Sequence, residues 1–426
     1  MLVKRRAYAA IASAIALLLA AAATALAGEI HTYSLPPDKL VKAIDYARAR
    51  NLLHFASVAW QFAVLVAVLA LKVAPRFRDW AERATRRRIA QAYIVATLLL
   101  LTLDLAELPL AAYGHRLSLA YGLSVQPWLP WMWDWTKGEL LVLAFAGLAA
   151  WVFYGVVRRS PRRWWLHFWM ASVPIVVFLF FIEPVAIEPL FFRFQPLARQ
   201  HPGLAAAIQR VTERGGLHIP PERMFVMDAS TKYTAPNAYV TGIGASARVV
   251  VWDTCFSALN TDQILVVFGH EMGHYVLGHI WIGVAGTLGG LFVSLFLAYH
   301  ALRWMLSRWG ERWSIRGAED WASLAVLLLI AGALNFLGEP IQNSFSRTIE
   351  HNADVYGLEA IHGLIPNAAQ VAAQDFQIEG EAWLADPSPS PFVKFWLYDH
   401  PPVSDRLRFA AEYDPWSKGQ PPRYIK

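Results

Sequence analysis

The chain has 426 residues, of which 56% are hydrophobic and only 16% are charged. Its mean hydropathy of +0.34 is too high for an ordinary soluble protein and indicates a polytopic membrane protein. The net charge of +6 does not indicate nucleic-acid binding, because the arginines cluster beside apolar stretches, as membrane-flanking charges do. The single cysteine, Cys255, excludes a disulfide within the chain and a cysteine-rich metal site.

Apolar stretches of about 18 or more residues are long enough to cross a bilayer as helices. Seven occur, near 7–27, 52–71, 89–109, 139–157, 164–185, 280–302 and 321–338. The first also resembles a cleavable signal peptide, with Lys4-Arg5-Arg6 before an alanine-rich core and Ala25-Leu26-Ala27 after it. An uncleaved anchor is favoured, because the apolar run exceeds the usual signal core. The sequence therefore predicts a mainly α-helical membrane protein with about seven spans.

Four parts follow from this pattern. Residues 1–185 hold five spans, 186–279 form an extramembrane α/β segment, 280–340 hold two further spans, and 341–426 turn polar. In the second part, RMFVMD at 223–228 and RVVVWDT at 248–254 are rich in residues that favour strands. Between them, TAPNAYVTGIG has Pro and Gly around a short strand-like centre. We expect a small sheet outside the membrane.

The stretch VVFGHEMGHYVLGH at 266–279 holds three histidines and a glutamate just before the sixth apolar stretch. Asn260 offers an N-cap for a helix that places His270 and His274 on one face, one turn apart. Two imidazoles at this spacing can bind one zinc ion. Glu271, beside the first histidine, can then act as the general base that accepts a proton from a metal-bound water molecule. At about 100° per residue, His279 points away from this face and is left outside the ligand set.

A catalytic zinc ion usually has three protein ligands and one open position. The segment SRTIEHNAD, 346–354, places Glu350 and Asp354 on one face of a helix. Glu350 can bind the metal, while Asp354 accepts the outer N–H of a ligating histidine. Taken alone, the segment is more typical of a solvated helix with Arg347, Glu350 and Asp354 facing water, but beside the histidine pair Glu350 is favoured as the third ligand. His351 is the competing ligand, but it projects about 100° from Glu350.

These motifs resemble the CAAX prenyl protease 1 family of integral-membrane zinc endopeptidases. HEMGHYVLGH is similar to the family's HExGHxxxxH, SRTIEHNAD to its SRxxExxAD, and PNAYVTG at 236–242 to its NAxxxG motif. YGLSVQPW at 121–128, IEPLFFRFQPL at 187–197 and YDHPPVSDR at 398–406 match weaker family stretches. The order of these motifs and the seven spans make the resemblance specific.

The resemblance implies seven helices that enclose a chamber, with a small gluzincin-like α+β zinc-metallopeptidase domain at one end. It implies that Asn237, Ala238 and Tyr239 line an edge strand that pairs with an extended substrate. It also implies that His400 lies near the zinc and stabilises the oxyanion, with Arg406 supporting the site. The expected partners are the lipid bilayer and a peptide or protein substrate, with or without a lipid modification.

Two other functions share parts of this pattern. A transporter with a structural zinc site would also suit seven spans, but structural sites are usually closed by four ligands and have no use for Glu271. A quality-control protease of membrane proteins would share the zinc motifs, although such enzymes have fewer spans.

Asp104 and Glu107, three apart in the third span, are expected to face the chamber, because acids in a span rarely face lipid.

Basic residues predict the orientation of the chain. With seven spans, the N-terminus and the loops after spans two, four and six share one side of the membrane. These segments carry 18 lysines and arginines, against six in the short loops of the other side. Short-loop lysine and arginine mark the cytoplasmic side. The sequence therefore predicts a bacterial inner-membrane protein whose zinc site faces the periplasm, whereas eukaryotic family members are understood to present theirs to the cytosol.

Overall fold

The computed structural model describes residues 33–242 and 247–425, so the first predicted span, 7–27, lies outside the described residues. The described helices are α1 (Pro37–Ala70), α2 (Val73–Ala84), α3 (Arg88–Ala120), α4 (Trp128–Arg159), α5 (Trp164–Ile182), α6 (Leu197–Gln200), α7 (Pro202–Arg214), α8 (Cys255–Ala258), α9 (Thr261–Val276), α10 (His279–Trp309), α11 (Leu324–Ile361), α12 (Ala368–Ala382), α13 (Pro391–Leu397) and α14 (Val403–Glu412). The described strands are β1 (Phe194–Pro196), β2 (Met224–Met227), β3 (Ala238–Thr241) and β4 (Arg248–Trp252).

Six of the described helices are long and apolar enough to cross a membrane. These are α1, α3, α4, α5, α10 and α11, the last counted from Trp321. They overlap the six predicted apolar stretches that fall within the described residues, which confirms those predictions. Large apolar side chains such as Leu52, Leu140 and Phe178 are exposed on these helices, as surfaces that face lipid require.

The last membrane helix is longer than the sequence pattern indicated. The apolar stretch ends near 338, but α11 continues through Pro340 to Ile361. A proline inside a helix removes one backbone hydrogen bond, which a long and otherwise continuous helix can tolerate. The seventh predicted span and the segment that carries Glu350 are therefore one helix, so the membrane helix itself delivers this carboxylate to the extramembrane domain.

The sheet lies between the two groups of membrane helices in the chain. Its strand order is β1-β2-β4-β3, with β2 and β4 parallel and the outer pairs antiparallel. The predicted strands at 223–228 and 248–254 correspond to β2 and β4, and the strand-like centre between them is β3. Because β3 comes last in this order, it forms one edge of the described sheet. The short strand β1 was not predicted.

Helix α9 begins where the sequence predicted. Asn260 Oδ1 accepts from the Gln263 backbone N–H at 3.0 Å, and Gln263 Oε1 accepts from the Asn260 N–H at 2.9 Å. This reciprocal capping box satisfies two donors that a helix start leaves unpaired, and such a cap stabilises a helix by about 1 kcal/mol. The helix ends at Val276, and Gly278 at φ +69° starts α10 in a new direction.

Small residues let α9 and α11 approach closely. Gly269 and Gly273 lie four apart on α9, and Ala353 and Gly357 lie four apart on α11. A Cβ built on Gly357 would be 2.7 Å from the His270 backbone nitrogen, and one on Gly273 would be 3.0 Å from Ala353 Cα. Such small-xxx-small pairs allow helix backbones to touch. The crossing brings the histidines of α9 beside the acids of α11.

Candidate active site

Two histidine nitrogens and one carboxylate oxygen converge where α9 crosses α11. His270 Nε2 lies 3.1 Å from Glu350 Oε2 and 3.1 Å from His274 Nε2. His274 Nε2 lies 3.4 Å from the same carboxylate oxygen. These ligand atoms of His270, His274 and Glu350 all lie within 4.8 Å of one another, a separation that one metal ion could bridge.

The hydrogen bonding around this cluster fits a cation. His270 Nδ1 lies 2.8 Å from Asp354 Oδ1, and because an ionised carboxylate only accepts, Nδ1 carries the hydrogen. In the neutral ring Nε2 then presents a lone pair toward His274 and Glu350. A cluster of two imidazole nitrogens and one carboxylate oxygen is a donor set typical of a catalytic zinc site.

Asp354 is held on its other side by Arg406. Arg406 Nε lies 3.0 Å from Asp354 Oδ2, and its Nη2 lies 2.7 Å from Oδ1, which makes a two-pronged ion pair. Arg406 Nη1 also donates to Glu379 Oε2 at 3.0 Å. The result is a continuous chain of hydrogen-bonded side chains from Glu379 on α12, through Arg406 on α14 and Asp354 on α11, to His270 on α9.

The loop that carries His400 is tied down beside the cluster. Arg347 on α11 donates to the backbone carbonyl of Lys394 in α13 and to that of Tyr398 at the start of this loop. His400 Nε2 lies 3.2 Å from Glu350 Oε2, while its Nδ1 lies 3.0 Å from Asp399 Oδ1. The side chain keeps about half of its surface exposed, so it borders the cluster from the solvent side.

Glu271 lies next to the first histidine and lines a cavity that also includes His400 and Asn237. Burial raises the pKa of Glu271 above its ordinary value, and the neighbouring histidines act against this rise. A carboxylate whose pKa lies closer to neutrality is a better proton acceptor than an ordinary glutamate. The position and the pKa direction both suit a general base.

One of the three predicted edge-strand residues lines the same cavity. Asn237 lines it directly, and Ala238 begins β3, which packs against α9. The Asn237 carbonyl accepts from the Trp252 N–H at 3.0 Å, which anchors the start of β3 to β4. The Tyr239 hydroxyl donates to Glu188 Oε2 at 2.7 Å. The strand therefore runs away from Glu271 along the edge of the described sheet.

Two competing histidines lie outside the three-residue cluster. His351 is exposed on α11, and its ring contacts Phe409 at a centroid distance of 5.1 Å. His279 Nδ1 lies 3.1 Å from His274 Nδ1, on the side away from His270. The predicted direction of His279 assumed that one helix continues from His270 to His279. That assumption is wrong, because α9 ends at Val276 and His279 begins α10. The contact nevertheless places His279 behind a candidate ligand.

The solvated-helix alternative for 346–354 is wrong. Glu350 and Asp354 are both buried, with 8% and 3% of their surfaces exposed. The structure also adds acids that the sequence analysis did not single out. Asp375 and Glu379 lie one turn apart on α12 beside the cavity, and Glu139 on α4 lies beside Asp104 on α3. Asp375 and Glu379 were not singled out from the sequence, because acids four residues apart on a polar helix are equally typical of a solvated helix.

Comparisons with known proteins cover nearly the whole chain. Residues 198–414 match peptidase family M48, and residues 19–193 match a domain described as CAAX prenyl protease N-terminal, five membrane helices. The chain is 34% identical over 382 residues to a Bacillus subtilis (strain 168) protein named "Uncharacterized metalloprotease YhfN", which covers 89% of this chain and 87% of that protein.

More distant relatives share the architecture. The chain is 28% identical over 341 residues to CAAX prenyl protease 1 of Saccharomyces cerevisiae, which covers 75% of this chain and 72% of that protein. Its fold is similar to that of S. mikatae Ste24p, with a TM-score of 0.77 at 23% identity over 92% and 93% of the two chains. The family match disfavours the transporter interpretation. The chain belongs to peptidase family M48 and is an integral-membrane metalloendopeptidase.

Proposed function

We propose that the chain is a zinc endopeptidase whose ion is held by His270, His274 and Glu350. The single observation that carries this proposal is the convergence of the three ligand atoms within 4.8 Å. When bound there, zinc supplies Lewis-acid chemistry that makes a water molecule acidic near neutral pH. The contact between Asp354 and His270 Nδ1 fixes the ring in the tautomer that leaves Nε2 free to bind a metal.

The chain's own groups then have distinct roles in peptide hydrolysis. Glu271 takes a proton from the attacking water and later gives it to the leaving amine. His400 donates a hydrogen bond from Nε2 to the carbonyl oxygen as negative charge develops on it. Arg406 holds Asp354, and through it the ring of His270, in a fixed orientation. β3 pairs with the extended substrate backbone, and Asn237, Ala238 and Tyr239 lie at that contact.

Removing the metal tests the ligand assignment. Dialysis of the purified protein against 1,10-phenanthroline should abolish peptide hydrolysis, and one equivalent of zinc should restore it. His270→Ala, His274→Ala and Glu350→Ala should each lose bound metal, read by mass spectrometry of metal content. His351→Ala is the matched control, because this exposed histidine should leave metal content unchanged. Full zinc occupancy in Glu350→Ala would contradict the proposed ligand set.

His400→Ala tests the oxyanion role. We expect kcat to fall about 10²–10³-fold, the usual effect of losing one oxyanion donor. KM should change little and zinc content should stay at one per chain, because His400 is not a proposed ligand. Steady-state kinetics and metal analysis on the same sample separate these effects. Loss of zinc together with activity would instead make His400 a ligand.

The substrate is a peptide or protein, and its identity is best found by trapping. A relative carries the name CAAX prenyl protease 1, which makes a lipid-modified carboxyl-terminal peptide a substrate to test. Glu271→Gln protein expressed in cells should retain uncleaved substrates, which proteomics can identify against the wild type. Synthetic peptides with and without a prenyl group then decide whether the lipid is required.

We propose that the active site faces the periplasm of a bacterial inner membrane. Contacts between segments support the grouping that underlies the charge count. Arg78, after the second predicted span, pairs with buried Asp320, after the sixth, at 2.6 Å. On the other side, Lys39 at the start of α1 pairs with Glu381 on α12 at 2.8 Å. The side with more lysine and arginine is cytoplasmic by the charge rule.

A reporter fusion tests this orientation. Alkaline phosphatase, which is active only outside the cytoplasm, should be active when fused after Lys426. A green fluorescent protein fused at the same point and exported through the same route should be dark. The opposite pair of results, in stably expressed fusions, would place the active site in the cytoplasm.

A further inference from the structure

The cavity beside Glu271 has an uneven distribution of charge. It encloses about 480 Å³, and Val266, Val267 and Phe376 form an apolar part of its wall. The charged lining residues other than histidine are Glu271, Asp375, Glu379, Asp386 and Asp399 against Arg50 and Arg406. Five carboxylates against two guanidinium groups make the lining suited to a cation.

Asp375 is the buried one of these five carboxylates. Only 1% of its surface is exposed, and its Oδ1 has no hydrogen-bond partner among residues 33–242 and 247–425. Arg406, which lines the same cavity, already pairs with Asp354 and Glu379. Burial and the charge of Glu379 raise the pKa of Asp375 well above its ordinary value.

A buried carboxylate without a partner destabilises a fold by several kcal/mol unless it is protonated or finds a cation. The apolar wall beside Asp375 suits the methylene stem of a lysine or arginine side chain, whose charged end could reach the carboxylate. Glu271 and Asp375 line the same cavity. A side chain that enters here therefore belongs to a substrate residue close to the bond that Glu271 would cleave.

We propose that Asp375 is a specificity-determining residue that binds a lysine or arginine side chain of the substrate beside the scissile bond. This rests on the proposed function, because it takes the cavity next to Glu271 to be the substrate site. The carboxylate pairs with the cation at a point where only 1% of the Asp375 surface is exposed, and a charge pair is stronger there than at an open surface. Neutral side chains of equal length leave Asp375 without a partner and bind less well.

A peptide library tests this specificity directly. Proteome peptides cut after glutamate keep their lysines and arginines, and the bonds that the wild-type enzyme cleaves in them can be read by mass spectrometry. We expect lysine and arginine to be enriched about tenfold at one position beside the cleaved bond. Asp375→Asn should lose this enrichment. Glu381→Gln, an acid on the same helix that pairs with Lys39 instead, should keep it.

A capture experiment separates recognition from hydrolysis. The same library is passed over immobilised Glu271→Gln and over Glu271→Gln combined with Asp375→Asn, and the first should retain lysine and arginine peptides about tenfold better. Cleavage by the wild type without a basic preference, or an unchanged preference in Asp375→Asn, would overturn the proposal while hydrolysis stands. If the wild type cleaves none of the peptides, the proposed hydrolytic function is wrong. Equal capture of basic peptides by the two immobilised variants would overturn the specificity proposal, whether or not hydrolysis is observed.

Discussion

Glu271→Gln is expected to lower kcat for peptide hydrolysis about 10²–10⁴-fold while the purified protein keeps one zinc ion per chain. Glutamine has the shape of glutamate but cannot accept the proton of the attacking water, and general-base catalysis contributes about 10²–10⁴-fold. Glu271 is absent from the cluster of His270, His274 and Glu350, so the proposed metal ligands should stay in place. Single-turnover hydrolysis and metal analysis on one preparation measure both quantities.

Asp262→Asn is the matched control for this experiment. Asp262 lies in the first turn of the same helix, α9, where a carboxylate favours the helix N-terminus by about 0.3–1 kcal/mol. Its loss should weaken the helix slightly and leave kcat close to the wild-type value. Wild-type turnover in Glu271→Gln would exclude Glu271 as the base, whereas loss of zinc in that variant would point to a role in holding the metal.

The parts of the site that the sequence predicted are those whose geometry is local. His270, Glu271 and His274 share one helix, so the 3.6-residue period alone places the two histidines on one face. The Asn260 cap is local in the same way, since donor and acceptor are three residues apart. Glu350 and Asp354 were paired with the histidines because a catalytic zinc ion needs a third ligand and the two acids share a helix face, and the family resemblance agreed with that pairing.

The parts that the sequence did not predict depend on tertiary contacts. Arg406 was expected to support the site only through the resemblance, and nothing local shows that its guanidinium joins Asp354 to Glu379. Asp375 is buried because α12 packs against α9, and its spacing from Glu379 is equally typical of a solvated helix. The continuation of α11 through Pro340 was missed because proline usually marks a helix end in water-soluble proteins.

The close crossing of α9 and α11 gives the second large effect. Gly357→Ala is expected to lower the free energy of unfolding by about 1–3 kcal/mol, the usual range for overpacking. An added Cβ would lie 2.7 Å from the His270 backbone nitrogen and 2.9 Å from the Gly269 carbonyl carbon, and backbone atoms cannot turn aside as a flexible side chain can. The helices must separate, which moves His270 away from Glu350. We therefore also expect kcat/KM to fall about tenfold to a hundredfold, because displacements of this kind disturb catalytic geometry.

Gly338→Ala on the same helix is the control, because a Cβ there meets nothing within 4 Å. Helix propensity alone predicts that both substitutions stabilise, since alanine is favoured over glycine by about 0.8–1.0 kcal/mol in a helix interior. If Gly357→Ala destabilises the protein while Gly338→Ala stabilises it, the effect of the helix crossing is separated from the effect of helix propensity. Thermal unfolding in detergent measures the stability. Zinc titration of the apoprotein measures the zinc affinity, which should fall if His270 and Glu350 are moved apart, because both must contact the same ion. A Gly357→Ala protein with wild-type unfolding temperature and wild-type zinc affinity would show that the contact between α9 and α11 does not set the geometry of the metal site.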